Sequence, residues 1–348
     1  MSKHKDFSYA IALLAVIVFL VGAFLINTLQ TRADEPGREA PVNNSNREIK
    51  RIVLLGASPV IQTTFAGLKS KLNQLVSMDD DLEIEYIDLD IPYSEVNMQN
   101  AVNYILNADV DLVVTGQGEV KYLRDKIRII PIIVALASDP VESGLAVSEA
   151  GSGNNFVFID TGASANASKR LTFFLELMPE AKNILVIRGA DFLDDTGPLG
   201  IENLRQEAIK RQINLIDKQF STRQELNKFF LEYDFSQVDA IYRHQGGFNA
   251  ANADLFFAFQ PKLKKPIITI ANQELEAGGI LAYGPKYDEF GEVGASIAWQ
   301  ILKGQADPAT IPINRPFRNA IGFNERVAKE LGIIIPTSLL IKADYVIN

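Results

Sequence analysis

The sequence predicts an α/β protein of two doubly wound, Rossmann-like lobes, preceded by one membrane-spanning helix. Three observations support this prediction: an uncharged stretch near the N-terminus, a regular alternation of short apolar runs with amphipathic stretches after residue 47, and a repeat of that alternation further along the chain. A chain of 348 residues with a hydrophobic fraction of 47% has enough material for two cores.

The uncharged stretch is Tyr9–Ile26, and it follows Lys3 and Lys5. A helix of this length is about 27 Å long, close to the hydrocarbon thickness of a bilayer. The lysines predict that residues 1–8 are a cytoplasmic tail and that the bulk of the chain lies outside the cell membrane, in the periplasm or extracellular space. A cleaved signal peptide is the alternative, although the apolar core of such a peptide is usually shorter. Residues 27–47 are polar and contain prolines, and they are predicted to be a linker.

Composition excludes several classes of function. The formal net charge of −9 argues against nucleic acid as a partner, because an anionic surface repels phosphates. The absence of cysteine excludes disulfides, thiolate metal sites and a lipid-modified cysteine. The chain has two histidines, of which His4 is in the predicted tail, so a metal site with several histidines is excluded. No phosphate-binding loop or nucleophile elbow is present, and we expect no catalysis, no cofactor and no metal.

The first lobe begins with an apolar run that ends at Gly56. Apolar residues then recur from Ile61 to Leu75 at spacings of four, three, four and three, which predicts one face of a helix. Two further helices are predicted over Glu95–Leu106 and Gln117–Asp125. The predicted strands are Ile52–Leu55, Ile84–Leu89, Asp111–Thr115 and Ile129–Leu136.

The second lobe shows the same pattern. Its predicted strands are Ile184–Ile187, Leu215–Asp217, Asp239–Tyr242 and Pro266–Ile270. Its predicted helices are Ala165–Met178, Ile201–Arg211, Arg223–Tyr233 and Asn249–Phe259. Four strand segments of the first lobe align in order with four of the second at offsets of 132, 129, 128 and 135 residues, which favours two similar lobes over one long sheet.

The C-terminal third carries the most specific motif of the chain. It runs from Gly279-Ile-Leu-Ala-Tyr-Gly-Pro-Lys-Tyr287 through Glu289-Phe-Gly-Glu-Val-Gly-Ala-Ser-Ile-Ala-Trp-Gln-Ile-Leu-Lys-Gly304 to Gly332-Ile-Ile-Ile-Pro-Thr-Ser-Leu-Leu340. This motif resembles the substrate-binding proteins of ABC transporters with the type I periplasmic-binding-protein fold, whose better-known members take up tryptophan and other aromatic amino acids. Ala137-Ser-Asp-Pro-Val141 also resembles a loop of that family.

The resemblance implies three chain crossings between the lobes, near Ile159–Asp160, Tyr283–Pro285 and Ile313–Phe317. Lobe one would comprise residues 48–158 and 286–312, and lobe two residues 159–284 and 313–348. The helix Tyr287–Leu302 fits lobe one by its own apolar spacing.

Two loops at the predicted ligand-binding edge depart from the pattern of the relatives. Thr115-Gly-Gln-Gly118 stands where relatives have Gly-Thr-Pro, and Arg243-His-Gln-Gly-Gly247 stands where many have an Asp-Asn pair.

Ligands of open α/β sheets bind beyond the carboxyl ends of the strands, so the candidate site lies in the loops there. Asp139, Asp160 and Glu274 are candidate partners for a ligand ammonium, and Asp139 is the favoured one. Arg243 and Arg188 would suit a carboxylate or a phosphate, with a salt bridge to an acid such as Asp191 as the alternative for the arginines. The remaining candidates are Ser58, Thr115, Gln117, Ser138, Thr161, His244, Gln245, Asn272 and Tyr283.

The sequence thus predicts a solute-binding subunit of an ABC-type uptake system, working with a permease and its ATPase. Two lobes would close about their hinges on a small polar solute, for which an amino acid is the candidate. The alternative is a membrane-anchored ligand-sensing module that reports to a signalling partner.

Overall fold

The computed structural model describes residues 47–91, 94–190, 197–316 and 318–348. The predicted membrane span Tyr9–Ile26 and nearly all of the predicted linker lie outside these ranges. Within them, no helix is long and apolar enough to cross a membrane.

Five parallel strands form the sheet of lobe one. The elements are β1 (Glu48–Leu55), α1 (Pro59–Val76), β2 (Leu82–Leu89), α2 (Glu95–Asn107), β3 (Leu112–Gly116), α3 (Val120–Leu123), β4 (Ile132–Ala137) and β5 (Phe156–Asp160). The strand order is β2-β1-β3-β4-β5, with β1 in register between β2 and β3.

Seven strands form the sheet of lobe two. The elements that follow along the chain, of which α10 packs in lobe one, are α4 (Ala163–Leu177), β6 (Asn183–Gly189), α5 (Gly197–Lys210), β7 (Asn214–Phe220), α6 (Arg223–Glu232), β8 (Ala240–Arg243), α7 (Gly247–Ala251), α8 (Ala253–Leu263), β9 (Ile267–Thr269), α9 (Gln273–Ala277), β10 (Leu281–Pro285), α10 (Tyr287–Leu302), β11 (Asn319–Asn324), α11 (Glu325–Glu330), α12 (Thr337–Leu340) and β12 (Tyr345–Ile347). The order is β12-β11-β10-β9-β8-β6-β7, and only the β10–β11 pair is antiparallel.

Apolar residues on successive strand positions fill both faces of each sheet. On β1, Ile52 and Leu54 pack in the core formed with α1 and α10, whereas Val53 and Leu55 pack in the core formed with α2 and α3. Strands of this kind read as continuous apolar runs because both of their faces are buried. This is why the sequence pattern located them.

Helix α10 follows a strand of lobe two but packs in lobe one. Phe290 and Ile297 belong to the same core as Phe65 and Leu68 of α1. Glycines make the contact between the helices possible, because a Cβ atom built on Gly291 would lie 1.9 Å from the carbonyl oxygen of Thr64. Gly67 has the same role on the other helix, since its Cβ would lie 2.2 Å from the carbonyl oxygen of Asp288.

The chain therefore passes between the sheets three times. It passes first from β5 to α4, which packs in the core of lobe two, and second from β10 to α10. The third passage follows Asn314, whose carbonyl oxygen accepts a hydrogen bond of 2.8 Å from the backbone of Asp160 in lobe one, and it ends at the start of β11. The exact lobe boundaries given above remain a prediction.

Several elements differ from the sequence predictions. The predicted strand Ile129–Leu136 starts at Ile132 instead, because Ile129 is 92% exposed and Pro131 cannot donate a backbone hydrogen bond. The predicted helix Gln117–Asp125 shortens to Val120–Leu123. The predicted helix Asn249–Phe259 is two helices that break at Asn252, whose side chain donates a hydrogen bond of 2.8 Å to the carbonyl oxygen of Phe248.

We expect Gly291→Ala to destabilise the protein by about 3 kcal/mol or more, because the added methyl group meets backbone atoms that cannot move aside. Gly294→Ala is the matched control in the same helix. Its Cβ would lie 3.4 Å from a terminal methyl of Leu68, so the gain in helix propensity should leave stability unchanged or raise it by up to about 1 kcal/mol. Chemical denaturation of both variants measures the difference, and equal stabilities would contradict the close contact.

Candidate functional site

Loops from both lobes meet beside the first chain crossing. The backbone nitrogen of Ser138, after β4, donates a hydrogen bond of 2.6 Å to Oε1 of Gln117, after β3. The hydroxyl of Ser138 lies 3.4 Å from Oγ1 of Thr161, and Nε2 of Gln245 in lobe two donates to the same Thr161 oxygen over 3.4 Å. Four of the predicted site residues are thus joined in one polar chain that runs from lobe one to lobe two.

Asp160 lies in the crossing itself and is 2% exposed. Its Oδ1 accepts hydrogen bonds from the backbone nitrogens of Asp139 (3.2 Å) and Gly162 (3.0 Å). Its Oδ2 accepts from Nε of Arg315 (2.9 Å), which also binds the exposed Glu149. The carboxylate of Asp160 is therefore fully engaged in joining the first and third crossings.

Asp139 lies next to this ion pair in a left-handed backbone conformation, with φ of 47°. Aspartate is one of the few residue types that tolerate this region. One carboxylate oxygen accepts a hydrogen bond from the hydroxyl of Ser164, the second residue of α4. Burial raises the pKa of Asp139, an effect that the Ser164 hydrogen bond opposes. The side chain thus links lobe one to the first helix of lobe two.

Arg243 and Glu274 form a buried ion pair at the carboxyl edge of the second sheet. Oε2 of Glu274 accepts from the backbone nitrogens of Ile270 (3.0 Å) and Ala271 (3.3 Å), while Oε1 accepts from Nη2 of Arg243. Glu274 therefore holds both the turn after β9 and the arginine. Nε and Nη1 of Arg243 are buried and have no acceptor among the described residues.

Arg170 of α4 is a second buried cation, which the sequence analysis missed. It is fully buried, and it donates from Nε to the hydroxyl of Tyr242 (2.9 Å) and from Nη1 to the carbonyl oxygen of Tyr283 (3.2 Å). In the described part of the chain its Nη2 has no acceptor. The arginine was missed because a single basic residue in an amphipathic helix reads as a solvated position.

Tyr287, the first residue of α10, joins this cluster from lobe one. Burial raises its pKa, and the nearby charges of Glu274, Arg243 and Arg170 act on it. Its ring packs with Ile270 and Ala271 of lobe two, against which Val60 and Leu136 of lobe one also pack. The two arginines and Glu274 thus lie at the side of lobe two that contacts lobe one, and we call these three residues the cationic cluster.

Glu119 lies at the carboxyl edge of the first sheet and was also missed, because the sequence predicted a helix there. Its carboxylate fits between the ends of β1 and β3: Cβ atoms built on Gly56 and Gly116 would lie 3.7 Å and 3.1 Å from its oxygens. Desolvation raises the pKa of Glu119 to about 7, an effect that hydrogen bonds from the backbone of Glu119 and Gly116 oppose. No lysine or arginine in the described ranges forms an ion pair with it.

Two of the predicted site residues already have structural contacts. Ser58 caps α1 by accepting a 3.4 Å hydrogen bond from the backbone of Ile61. Thr115 is buried and donates to the carbonyl oxygen of Leu55 over 3.0 Å.

The other predicted residues lie in lobe two. His244 is buried, with Nδ1 2.8 Å from the carbonyl oxygen of Gln245. Asn272 lies against Gly322 of β11. Tyr283 is in the core of lobe two, and its hydroxyl accepts from Asn319 over 3.2 Å. Arg188 pairs with Asp217 at 2.9 Å, whereas Asp191, its predicted partner, lies outside the described residues.

We expect Asp160→Asn to lower the free energy of unfolding by about 1–3 kcal/mol, because it removes the charge that holds Arg315 at the crossing. Glu149→Gln is the matched control at the exposed end of the same arginine and should cost less than about 1 kcal/mol. Thermal or chemical denaturation compares the two variants. A larger effect of Glu149→Gln would contradict the role given to Asp160.

Comparison with known proteins agrees with this architecture. Residues 57–347 match the family described as ABC transporter substrate binding protein. A tyrosine-binding protein of Clostridioides difficile is 22% identical over 322 residues, covering 90% of this chain and 91% of the relative.

Solved structures with the same fold include the ABC domain of a Streptococcus pneumoniae protein in complex with L-Trp. It superposes with a TM-score of 0.76 at 22% identity and covers 87% of this chain and 100% of its own. The ligand-free, open structure of a Clostridium difficile substrate-binding protein with adhesive properties gives a TM-score of 0.64 at 20% identity, over 86% of this chain and 99% of its own.

Proposed function

The chain belongs to the family of ABC transporter substrate-binding proteins, and from this premise we propose that it binds an amino acid between its lobes for uptake through a membrane permease. The partners would be that permease and its ATPase, and the protein itself would do no covalent chemistry. The family assignment bears out the resemblance inferred from the C-terminal motif, whereas the ligand, the uptake role and the attachment to the membrane are our proposals.

The observation that carries the ligand class is the surplus of hydrogen-bond donors in the cationic cluster. The cluster has two buried guanidinium groups and one carboxylate, which pairs with Arg243, and three of the guanidinium nitrogens have no acceptor among the described residues. An unsatisfied buried donor costs about 1–3 kcal/mol. A planar carboxylate, which accepts two parallel hydrogen bonds from a guanidinium group, would remove that cost.

The relatives favour an amino acid as the source of this carboxylate. One is named for binding tyrosine, and another has L-Trp bound in its solved structure. Both solutes carry one carboxylate, one ammonium and an aromatic ring. The apolar contact of Tyr287 with Ile270 and Val60 provides a surface on which such a ring could pack.

Hinge closure is the proposed binding motion. The bonds from Ser164 to Asp139 and from Gln245 to Thr161 connect the lobes beside the crossings. Closure would complete such contacts around the ligand and produce the form that docks on the permease.

We expect a thermal-shift panel of amino acids, small carboxylates, sugars and nucleosides on the full-length protein to give its largest shift with an amino acid. At 100 times its dissociation constant, a ligand stabilises the folded state by about 2.7 kcal/mol, which raises the melting temperature by several degrees. Arg243→Lys keeps a cation for Glu274 but loses two donor nitrogens, so its affinity for that amino acid should fall about tenfold or more with little change in stability.

The exposed Arg223, which pairs with Asp254, provides the control, and Arg223→Lys should bind as the wild type does. A shift with sugars and none with amino acids would overturn the ligand class. Full affinity in Arg243→Lys would overturn the role of the cationic cluster.

We also infer that the Tyr9–Ile26 segment anchors the protein, since its length matches a bilayer and the chain has no cysteine for a lipid anchor. The full-length protein should sediment with membranes and resist extraction by carbonate. Recovery of most of the native protein in the soluble fraction would contradict the anchor.

A further inference from the structure

The carboxyl edges of the two sheets carry different charges: lobe two has the cationic cluster, and lobe one has acids. In lobe two, the cationic cluster has two positive groups and one negative group. A ligand ammonium near that cluster would add a third buried cation, and close like charges are unfavourable in a poorly hydrated site. The ammonium of a bound amino acid should therefore lie against lobe one.

At the carboxyl ends of the strands of lobe one, Asp88 in β2 and Asp90 just after it are exposed, and Asp88 pairs with Lys69. Three acids at these strand ends are less exposed, and two of them are already engaged. Asp160 has an ion pair with Arg315 and two backbone hydrogen bonds. Asp139 accepts the hydroxyl of Ser164 across the first crossing. Both lie on the hinge side of the sheet, since β4 and β5 are its last two strands.

Glu119 is the third acid, and it lies near the middle of the sheet. Its oxygens reach the ends of β1 and β3, two central strands of the five. Its hydrogen-bond donors are all neutral groups, and a carboxylate that is desolvated without a cation keeps a raised pKa. A ligand ammonium would supply the missing positive charge. Gly56 and Gly116 leave space beside the carboxylate of Glu119, and a side chain at either position would reduce that space.

We propose that Glu119, rather than Asp139, binds the ammonium of the solute, while Arg243 and Arg170 bind its carboxylate. Asp139 then serves to join the lobes through Ser164. The inference rests on the proposed amino-acid function and adds to it the orientation of the ligand: ammonium toward lobe one and carboxylate toward lobe two. It also identifies the loop after β3, one of the two loops that depart from the pattern of the relatives, as a determinant of specificity.

The test combines a change in the protein with a change in the ligand. The ligand pairs are L-tyrosine with 3-(4-hydroxyphenyl)propanoate, and L-tryptophan with 3-(indol-3-yl)propanoate, which differ only in the amino group. Dissociation constants are measured by titration calorimetry for wild type, Glu119→Gln and Asp139→Asn. Glu83→Gln is the matched control, because Glu83 is an exposed acid near the opposite end of the same sheet.

In the wild type, loss of the amino group should weaken binding about tenfold to a hundredfold, the usual range for a hydrogen bond to a charged group. The ratio of the two dissociation constants, without and with the amino group, is expected to be the same in Asp139→Asn and Glu83→Gln. In Glu119→Gln it should fall to about threefold or less, because the amide cannot compensate the ammonium charge. Glu119→Asp keeps the charge one methylene further away and should give an intermediate ratio, so it serves as the second variant if the glutamine protein is unstable.

The possible failures are distinguishable. An unchanged ratio in Glu119→Gln, together with tight amino-acid binding by the wild type, would overturn the role of Glu119 and leave the proposed function intact. If the ratio of dissociation constants falls in Asp139→Asn and not in Glu119→Gln, the ammonium would be assigned to Asp139. If the wild type binds no amino acid in the panel, the ligand class and this inference both fall.

Discussion

The close packing of α10 on α1 is the constraint on which the two-lobed structure depends. Gly67 and Gly291 let the backbones of the two helices touch, and this contact holds a helix that follows a strand of lobe two in the core of lobe one. The chain must then return to lobe two to form β11, which gives three crossings instead of one. Three connections at one side of the cleft restrict the lobes to bending about a common hinge, whereas a single linker would allow them to rotate freely.

The polar groups at the crossings divide into those that bending preserves and those that it breaks. Asn319 of β11 donates to Asn166 of α4 over 2.8 Å and to Tyr283 of β10 over 3.2 Å, so the ends of all three crossings in lobe two are tied together. Asp160 accepts from Gly162, two residues away, a local bond that bending leaves intact. The bond from Ser164 to Asp139 spans the lobes, and opening would expose both groups to water. With the proposed hinge motion, the crossings would keep their own hydrogen bonds, and opening would break contacts between the lobes such as that of Ser164 with Asp139.

The sequence pattern predicted the elements whose apolar residues repeat regularly and missed several strands, some of them short or interrupted by glycine and proline. Helix α10 begins and ends at the predicted residues because Phe290, Val293 and Ile297 repeat at helical spacing on one buried face. Strands β5 and β10 to β12 were not predicted as strands. Strand β10 contains Gly284 and Pro285, which are uncommon inside strands, and β12 has three residues, none of them buried. In the candidate site, loop positions could be predicted from the strand ends. The partners could not: the pairing of Asp160 with Arg315 spans 155 residues, and nothing local to Glu119 or Arg170 distinguishes them from solvent-exposed charges.

The distribution of charge over the two lobes bears on how such a site selects its solute. Arg243 and Arg170 are buried in lobe two with donors that have no acceptor among the described residues, and Glu119 is half-buried in lobe one with no cation paired to it in the same ranges. Removing charges from water costs several kcal/mol per group, and attraction between partners repays this only when every group is matched. A solute with one charge would leave the opposite lobe uncompensated, so closing on it would be unfavourable. In the orientation we propose, a zwitterion would match both lobes at once, and closure would then be the step that distinguishes an amino acid from an amine or a carboxylic acid of the same shape.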